Sequence, residues 1–317
     1  MSKRIHINAL ATLAFCTGGL AAQQLEPRSF PQQNVESWSY QSSVTGNTYD
    51  IVVGLPNGYR PGADRKYAAL IVTDGYAAFP VANDAARSQM NQGVAEDLIV
   101  VSVGSPLELG DSGWTRQRIW EFSPSGWDRT DTFGKEVTRT CGLMHSPPDR
   151  CSGGAPKFLE FIVSELLPRL EAKYAIDPER LGLFGVSAGG FFASWVIFQP
   201  NSPFRAYIIQ SPAMAYGDGE IFRQEQRYAA EHKDLKVGIY LASGSLEMAD
   251  PYLEGIGQIV SGQVRLAAAL TGRHYPGLKL YTEILPGLSH GDAAGTALVR
   301  GIRLLYGKEQ GTAPWQR

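Results

Sequence analysis

The segment "GVSAG", Gly185 to Gly189, sets Ser187 between glycines at minus two and plus two, after the apolar run "RLGLF" and before a helix-forming stretch. A serine hydroxyl is a weak nucleophile until a base takes its proton and nearby donors hold the oxyanion that forms on attack. A strand turning sharply into a helix provides that setting. Crowding at the turn demands glycine on both sides, and the following helix aims its N-terminal amides at the serine. The chemistry this pattern predicts is acyl transfer from an ester through a covalent serine intermediate.

A nucleophile on such an elbow is followed in chain order by an acid and then a histidine. His290, in "LPGLSHG" after the last apolar run, fits the histidine position. His6 falls in the N-terminal leader, His145 precedes the serine, and His232 and His274 sit near polar helix ends. For the acid, "GSLEMADPY" offers Glu247, the sooner after its strand, and Asp250 as the alternative. Asp250 stands directly before Pro251, a position that also suits a helix cap. Either carboxylate would fix the imidazole tautomer and stabilise the imidazolium. The oxyanion donors are predicted to be the amide of Ala188 and one from the loop after "AALIVTDG", with Gly75 and Tyr76 as candidates.

The elements that must position these residues alternate. After two β-rich pieces, "SWSYQSS" and "TYDIVVGLP", come the apolar runs "YAALIV", "LIVVSVG", "RLGLFGV", "AYIIQ", "VGIYLASG" and "LKLYTEIL". Most of these runs are followed by a helical stretch, placed at 82–92, 188–198, 220–230, 253–270 and 295–305. Short apolar strands joined by helices form a mostly parallel sheet covered on both faces. The fold class is therefore α/β, with about eight strands, and residues 23–317 are expected to form one domain. Residues 105–154 read as a long loop without clear secondary structure, rich in aromatics (Trp114, Trp120, Phe122, Trp127, Phe133), and are expected to form a lid-like insertion. In the helix after it, Phe158, Phe161, Ile162, Leu166 and Leu170 recur at helical spacing and belong to the core.

Composition narrows the function classes. A formal net charge of -2, with no cluster of Lys and Arg, argues against nucleic acid as partner. Residues 1–22, with Lys3 and Arg4 before a mostly apolar stretch that ends in "GLAA", read as a cleaved signal peptide. Export follows, to the periplasm or the medium, without stable membrane insertion. The mature chain then holds only Cys141 and Cys151, across "CGLMHSPPDRC", and in an exported protein that pair is expected as a disulfide. No metal or organic cofactor is implied, and the partner expected is a small-molecule ester.

From about Thr48 to about Gly307 the chain resembles an esterase family of the α/β-hydrolase superfamily that includes enterochelin and related siderophore esterases and S-formylglutathione hydrolases. The likeness is carried by "YDIVVGLPNGY", "LIVTDGYAAF", the helix leading into "LGLFGVSAGG", and "LPGLSHG". In that family an arginine precedes the helix. Here "RQRIWEFSPS" stands at that place, and the resemblance implies a substrate-binding role for Arg116 or Arg118, with Trp120 beside them. "EFSPS" lacks the aspartate of the family pattern, and Val186 and Ala188 flank the serine where that branch often has His and a bulkier residue. The resemblance implies a serine esterase for siderophore-type, aromatic or acyl esters. Two other functions fit the same residues: acyl transfer to an alcohol acceptor, and ligand binding without catalysis on the same scaffold.

Overall fold

The structure is a computed structural model. It describes residues 32–62, 64–124 and 132–308. The leader at 1–22 and Trp127 lie outside the described residues.

Eight strands form one sheet in the order β1-β2-β4-β3-β5-β6-β7-β8. β1 (Val35–Gln41), β2 (Thr48–Gly54) and β4 (Leu98–Gly104) pair antiparallel. From β4 onward, β3 (Tyr67–Val72), β5 (Ile176–Val186), β6 (Ala206–Gln210), β7 (Gly238–Gly244) and β8 (Lys279–Leu285) run parallel.

Alternation within each strand fills two cores. Ile71, Val101, Leu183, Ile209 and Leu241 join one apolar cluster, while Leu70, Val100, Phe184, Ile208 and Ala242 join the other. Every one of these side chains is buried, which is why the central strands read as continuous apolar runs. Helices α1 (Phe79–Asn91) and α9 (Ala293–Tyr306) cover the second face. The first face is covered by α4 (Ala155–Phe161), α5 (Leu167–Lys173), α6 (Ala188–Val196), α7 (Tyr216–Glu231) and α8 (Ile259–Arg273). Between α4 and α5 the chain makes a π turn, Ile162–Leu166, without leaving the helical path. The predicted stripe of Phe158, Phe161, Ile162, Leu166 and Leu170 is fully buried there.

Two expectations are corrected. Residues 105–154 are not a structureless loop: they carry α2 (Gly110–Glu121) and α3 (Thr132–Leu143). α2 holds Gly110 and Gly113 and buries both Trp120 and Glu121, so no clean apolar stripe marks it in the sequence. The helix expected from 253 begins only at Ile259. A side chain at Gly255 would stand 2.3 Å from the Pro251 carbonyl oxygen, and Gln258 adopts φ 48°, so the intervening residues turn instead. Cys141 in α3 is paired with Cys151 beyond it, with Cα atoms 5.8 Å apart.

Candidate active site

The carboxyl ends of β3, β5, β6, β7 and β8 converge on one place, where open α/β sheets put their ligands. β5 ends at Val186 and α6 starts at Ala188, so Ser187 alone makes the turn, at φ 59° and ψ -118°. A non-glycine residue there stores roughly 1–3 kcal/mol of strain that its surroundings must hold. They do so through the backbone: Ser187 N–H donates to Gln210 O at 2.9 Å, and Ser187 O accepts from Phe191 at 2.9 Å and Ala213 at 3.1 Å. The flanking glycines are dictated by contact. A Cβ on Gly185 would lie 2.1 Å from Gly189 O, and one on Gly189 would lie 2.7 Å from Thr73 Oγ1.

Glu247 is fully buried in the turn after β7. Its Oε2 lies 3.1 Å from His290 Nδ1. Its Oε1 accepts from Ser211 Oγ at 2.6 Å and from Gly244 N–H at 2.8 Å. With Oε1 taken by two donors, Oε2 is free to accept from a protonated Nδ1, and in that tautomer Nε2 keeps the lone pair a general base requires. The loops carrying acid and histidine are laced together, Leu246 N–H to Leu288 O at 3.1 Å and Gly287 N–H to Ser245 Oγ at 2.8 Å. Asp250 lies at the start of a turn rather than of a helix. Its Oδ1 caps the amides of Tyr252 at 2.8 Å and Leu253 at 2.9 Å.

Two contributors escaped the sequence reading. Gln210, the last residue of β6, holds the amide of Ser187 with its carbonyl and donates its Nε2 to His290 O at 3.2 Å. Ser211 follows it and supports Glu247. The signal available was two polar residues ending the buried run "AYIIQS", polarity that a buried strand end carries only with partners to satisfy it.

The loop after β3 supplies the other wall. Thr73 N–H donates to Phe184 O at 3.1 Å, and the chain then passes through left-handed conformations at Asp74 and Gly75. Gly75 lies so close to Gly104 that an added Cβ would sit 2.9 Å from its Cα, and Gly75 O accepts Ser102 Oγ at 2.7 Å. Gly75 and Tyr76 open a short 3-10 turn beside the elbow, while Ala188 opens α6. Amides in a first helical turn have no acceptor within their own helix. The Tyr76 phenol is pushed above its usual pKa by burial and by the Asp50 carboxylate.

The three residues proposed for substrate binding part company. Arg118 turns inward: its Nε meets Asp74 Oδ1 at 2.5 Å and its Nη2 donates to Val186 O at 3.2 Å. Trp120 is buried beneath the Arg150 guanidinium, 4.4 Å from its ring centre, with Gly154 packed against the indole. With Arg116, Trp120 lines a cavity of about 250 Å³ that also includes Asn47 and Arg150. A second, more apolar cavity of about 360 Å³ adjoins the β3 loop, lined by Tyr76, Ala77, Pro106, Leu107, Asp111 and Trp114 among others. Among the described residues no helix is long and apolar enough to cross a membrane.

An eight-stranded sheet of this order with a serine on the elbow after β5 defines an α/β-hydrolase. The chain has that fold, and the proteins it is similar to include siderophore esterases. A model of the prolyl oligopeptidase family matches residues 165–235, which include the elbow. The chain is 34% identical over 206 residues to the ferri-bacillibactin esterase BesA of Bacillus subtilis, covering 63% of this chain and 66% of that protein. It is 26% identical over 202 residues to a siderophore enterobactin esterase of Emericella nidulans, covering 62% and 63% respectively. It thus spans just under two thirds of the length of these curated relatives. Among solved structures, the BES protein of Bacillus cereus superposes with a TM-score of 0.71 at 27% identity, covering 89% of this chain and 98% of that one. Siderophore hydrolase EstA of Aspergillus nidulans, at 22% identity and the same TM-score of 0.71, shares the fold.

Proposed function

We propose that this protein is an exported serine esterase that cleaves carboxylic esters, of siderophore, aromatic or acyl type, through an acyl-enzyme. Ser187 Oγ attacks the ester carbonyl while His290 Nε2 takes its proton. Negative charge developing on the carbonyl oxygen is held by the amide of Ala188 and by that of Tyr76 or Gly75. The tetrahedral intermediate collapses, the alcohol departs with the proton from His290, and water, activated by the same imidazole, releases the acid and restores Ser187. Glu247 keeps the imidazole in the tautomer and orientation this requires.

The observation that carries the reading is the 3.1 Å contact of buried Glu247 with His290 Nδ1, on loops bound to the strained Ser187 elbow through Gln210. The names of the curated relatives support ester substrates of siderophore type. The Cys141–Cys151 pairing supports an oxidising compartment. Turnover of p-nitrophenyl esters and of a catecholate trilactone should be measured for the purified protein and its Ser187→Ala variant. Removing the nucleophile is expected to lower kcat by a factor of about 10⁴ or more with the fold retained. Unchanged turnover in the variant would reject the assignment.

A further inference from the structure

The two oxyanion donors come from separate elements, and one side chain from a third element binds the chain just ahead of each. Each donor lies shortly after a distinctive residue: Ala188 two positions beyond Val186, and Gly75 and Tyr76 directly after Asp74. Arg118, on α2, takes hold at those same two residues, with Nε on Asp74 Oδ1 at 2.5 Å and Nη2 on Val186 O at 3.2 Å. The guanidinium is itself held, 5.0 Å from the centre of the Trp114 ring and 5.5 Å from that of Phe122. Its side chain is 18% exposed and that of Asp74 only 3%. Asp74 also lies against the first turn of α6, since a Cβ on Gly189 would stand 3.1 Å from Asp74 Oδ2.

We propose that Arg118 is a positioning residue that sets the spacing between the two oxyanion donors by tying the β3 loop to the nucleophile elbow. The inference rests on the esterase reading of the site. Stabilising an oxyanion depends on donors fixed in advance, and a displacement of a fraction of an ångström weakens it. A planar guanidinium suits the task because it presents several donors in fixed directions, so one group serves a carboxylate and a carbonyl at once. This differs from substrate recognition, in which the same arginine would face outward and bind an anionic part of the ester.

The test compares Arg118→Gln, Arg118→Lys, Asp74→Asn and the double variant Arg118→Gln/Asp74→Asn with wild type on a short, uncharged p-nitrophenyl ester. Arg118→Gln is expected to lower kcat by roughly 10- to 100-fold with KM within about twofold, the pattern of an interaction that matters in the transition state. Lysine, which keeps the charge but not the fork, should restore part of the loss. The double variant should be little worse than the poorer single one, because both substitutions break the same tie. Folding of each variant is checked by its thermal transition. If Arg118→Gln does not fold, Arg118→Lys and Asp74→Asn carry the comparison, both expected to show the loss in kcat. A wild-type kcat in the folded variants, a defect confined to KM for anionic esters, or fully additive losses would overturn the proposal. If wild type hydrolyses no ester, the esterase reading falls and this inference with it; if wild type is active and the Arg118 variants match it, this inference alone fails.

Discussion

At the scale of single residues, the site depends on which of two neighbouring carboxylates is aimed at the histidine. Glu247 reaches His290, and Asp250 caps the turn that follows. Removing them should therefore have different consequences. Glu247→Gln leaves a buried amide that can present its NH₂ to Nδ1 and so favour the wrong tautomer, and kcat is expected to fall by about 10³-fold or more. Asp250→Ala should lower thermal stability by about 1 kcal/mol through the lost cap while kcat changes by less than about threefold. Steady-state kinetics on both variants check the pair, and the reverse ranking would assign the acid to Asp250. The candidate order of serine, acid and histidine is readable in the sequence because the elbow's glycines are a local signal and the order follows the chain. The contributions of Gln210 and Ser211, and the inward turn of Arg118, were not. Each depends on partners distant in the chain, up to 80 residues for Gln210 and His290, and sequence spacing along one element carries no record of them.

At the scale of elements, strands were the most legible. β4 was expected at 98–104 and is found at Leu98–Gly104, because a strand buried on both faces is an apolar run with sharp ends. The insertion at 105–154 was least legible. Its aromatic residues divide between the core, where Trp120 and Phe122 are buried, and the neighbourhood of the β3 loop, where Trp114 lines a cavity, and that division erases a single apolar face. The elbow offers the clearest test of how one element constrains another. Gly185 lies on β5 within van der Waals contact of the first turn of α6, and the obstacle a side chain would meet is backbone that cannot swing away. Gly185→Ala is thus expected to destabilise the protein by about 2 kcal/mol or more and to abolish turnover in what folds. Chemical denaturation read beside esterase activity checks it; a variant as stable and active as wild type would show that the elbow tolerates a wider approach.

At the scale of the whole molecule, a buried carboxyl links stability to pH. Glu121, at the end of α2, is buried, and burial pushes its carboxyl up to about 8, partly offset by hydrogen bonds from Tyr49, Asn47 and Gln117. Below pH 4.5, the value 4.5 being that of an unperturbed Glu, folded and unfolded chains both hold this proton, so the group does not affect stability. Between that value and about 8 the unfolded chain has lost the proton while the folded one keeps it. Raising the pH through this window therefore costs stability, on the order of 5 kcal/mol if the whole shift is expressed. Glu121→Gln keeps the hydrogen-bonding shape without the charge, and should remove that decline and raise the melting temperature at pH 8 and above. Melting curves between pH 5 and 9 check the sign, and a wild-type protein more stable at pH 8.5 than at pH 5.5, with Glu121→Gln unchanged, would contradict it. The same residue sits one helical turn beyond Arg118, so the insertion adds to the core as well as to the site.

The central claim is that Ser187 is a nucleophile activated by His290, and covalent capture tests it most directly. The purified protein is treated with a fluorophosphonate, its intact mass is measured, and the adduct is located by peptide mapping. The account predicts one phosphonyl group per chain, carried by Ser187, with none on the folded Ser187→Ala variant and a strongly slowed reaction in His290→Ala. A folded protein that stays unlabelled, or an adduct on any other residue, would contradict it.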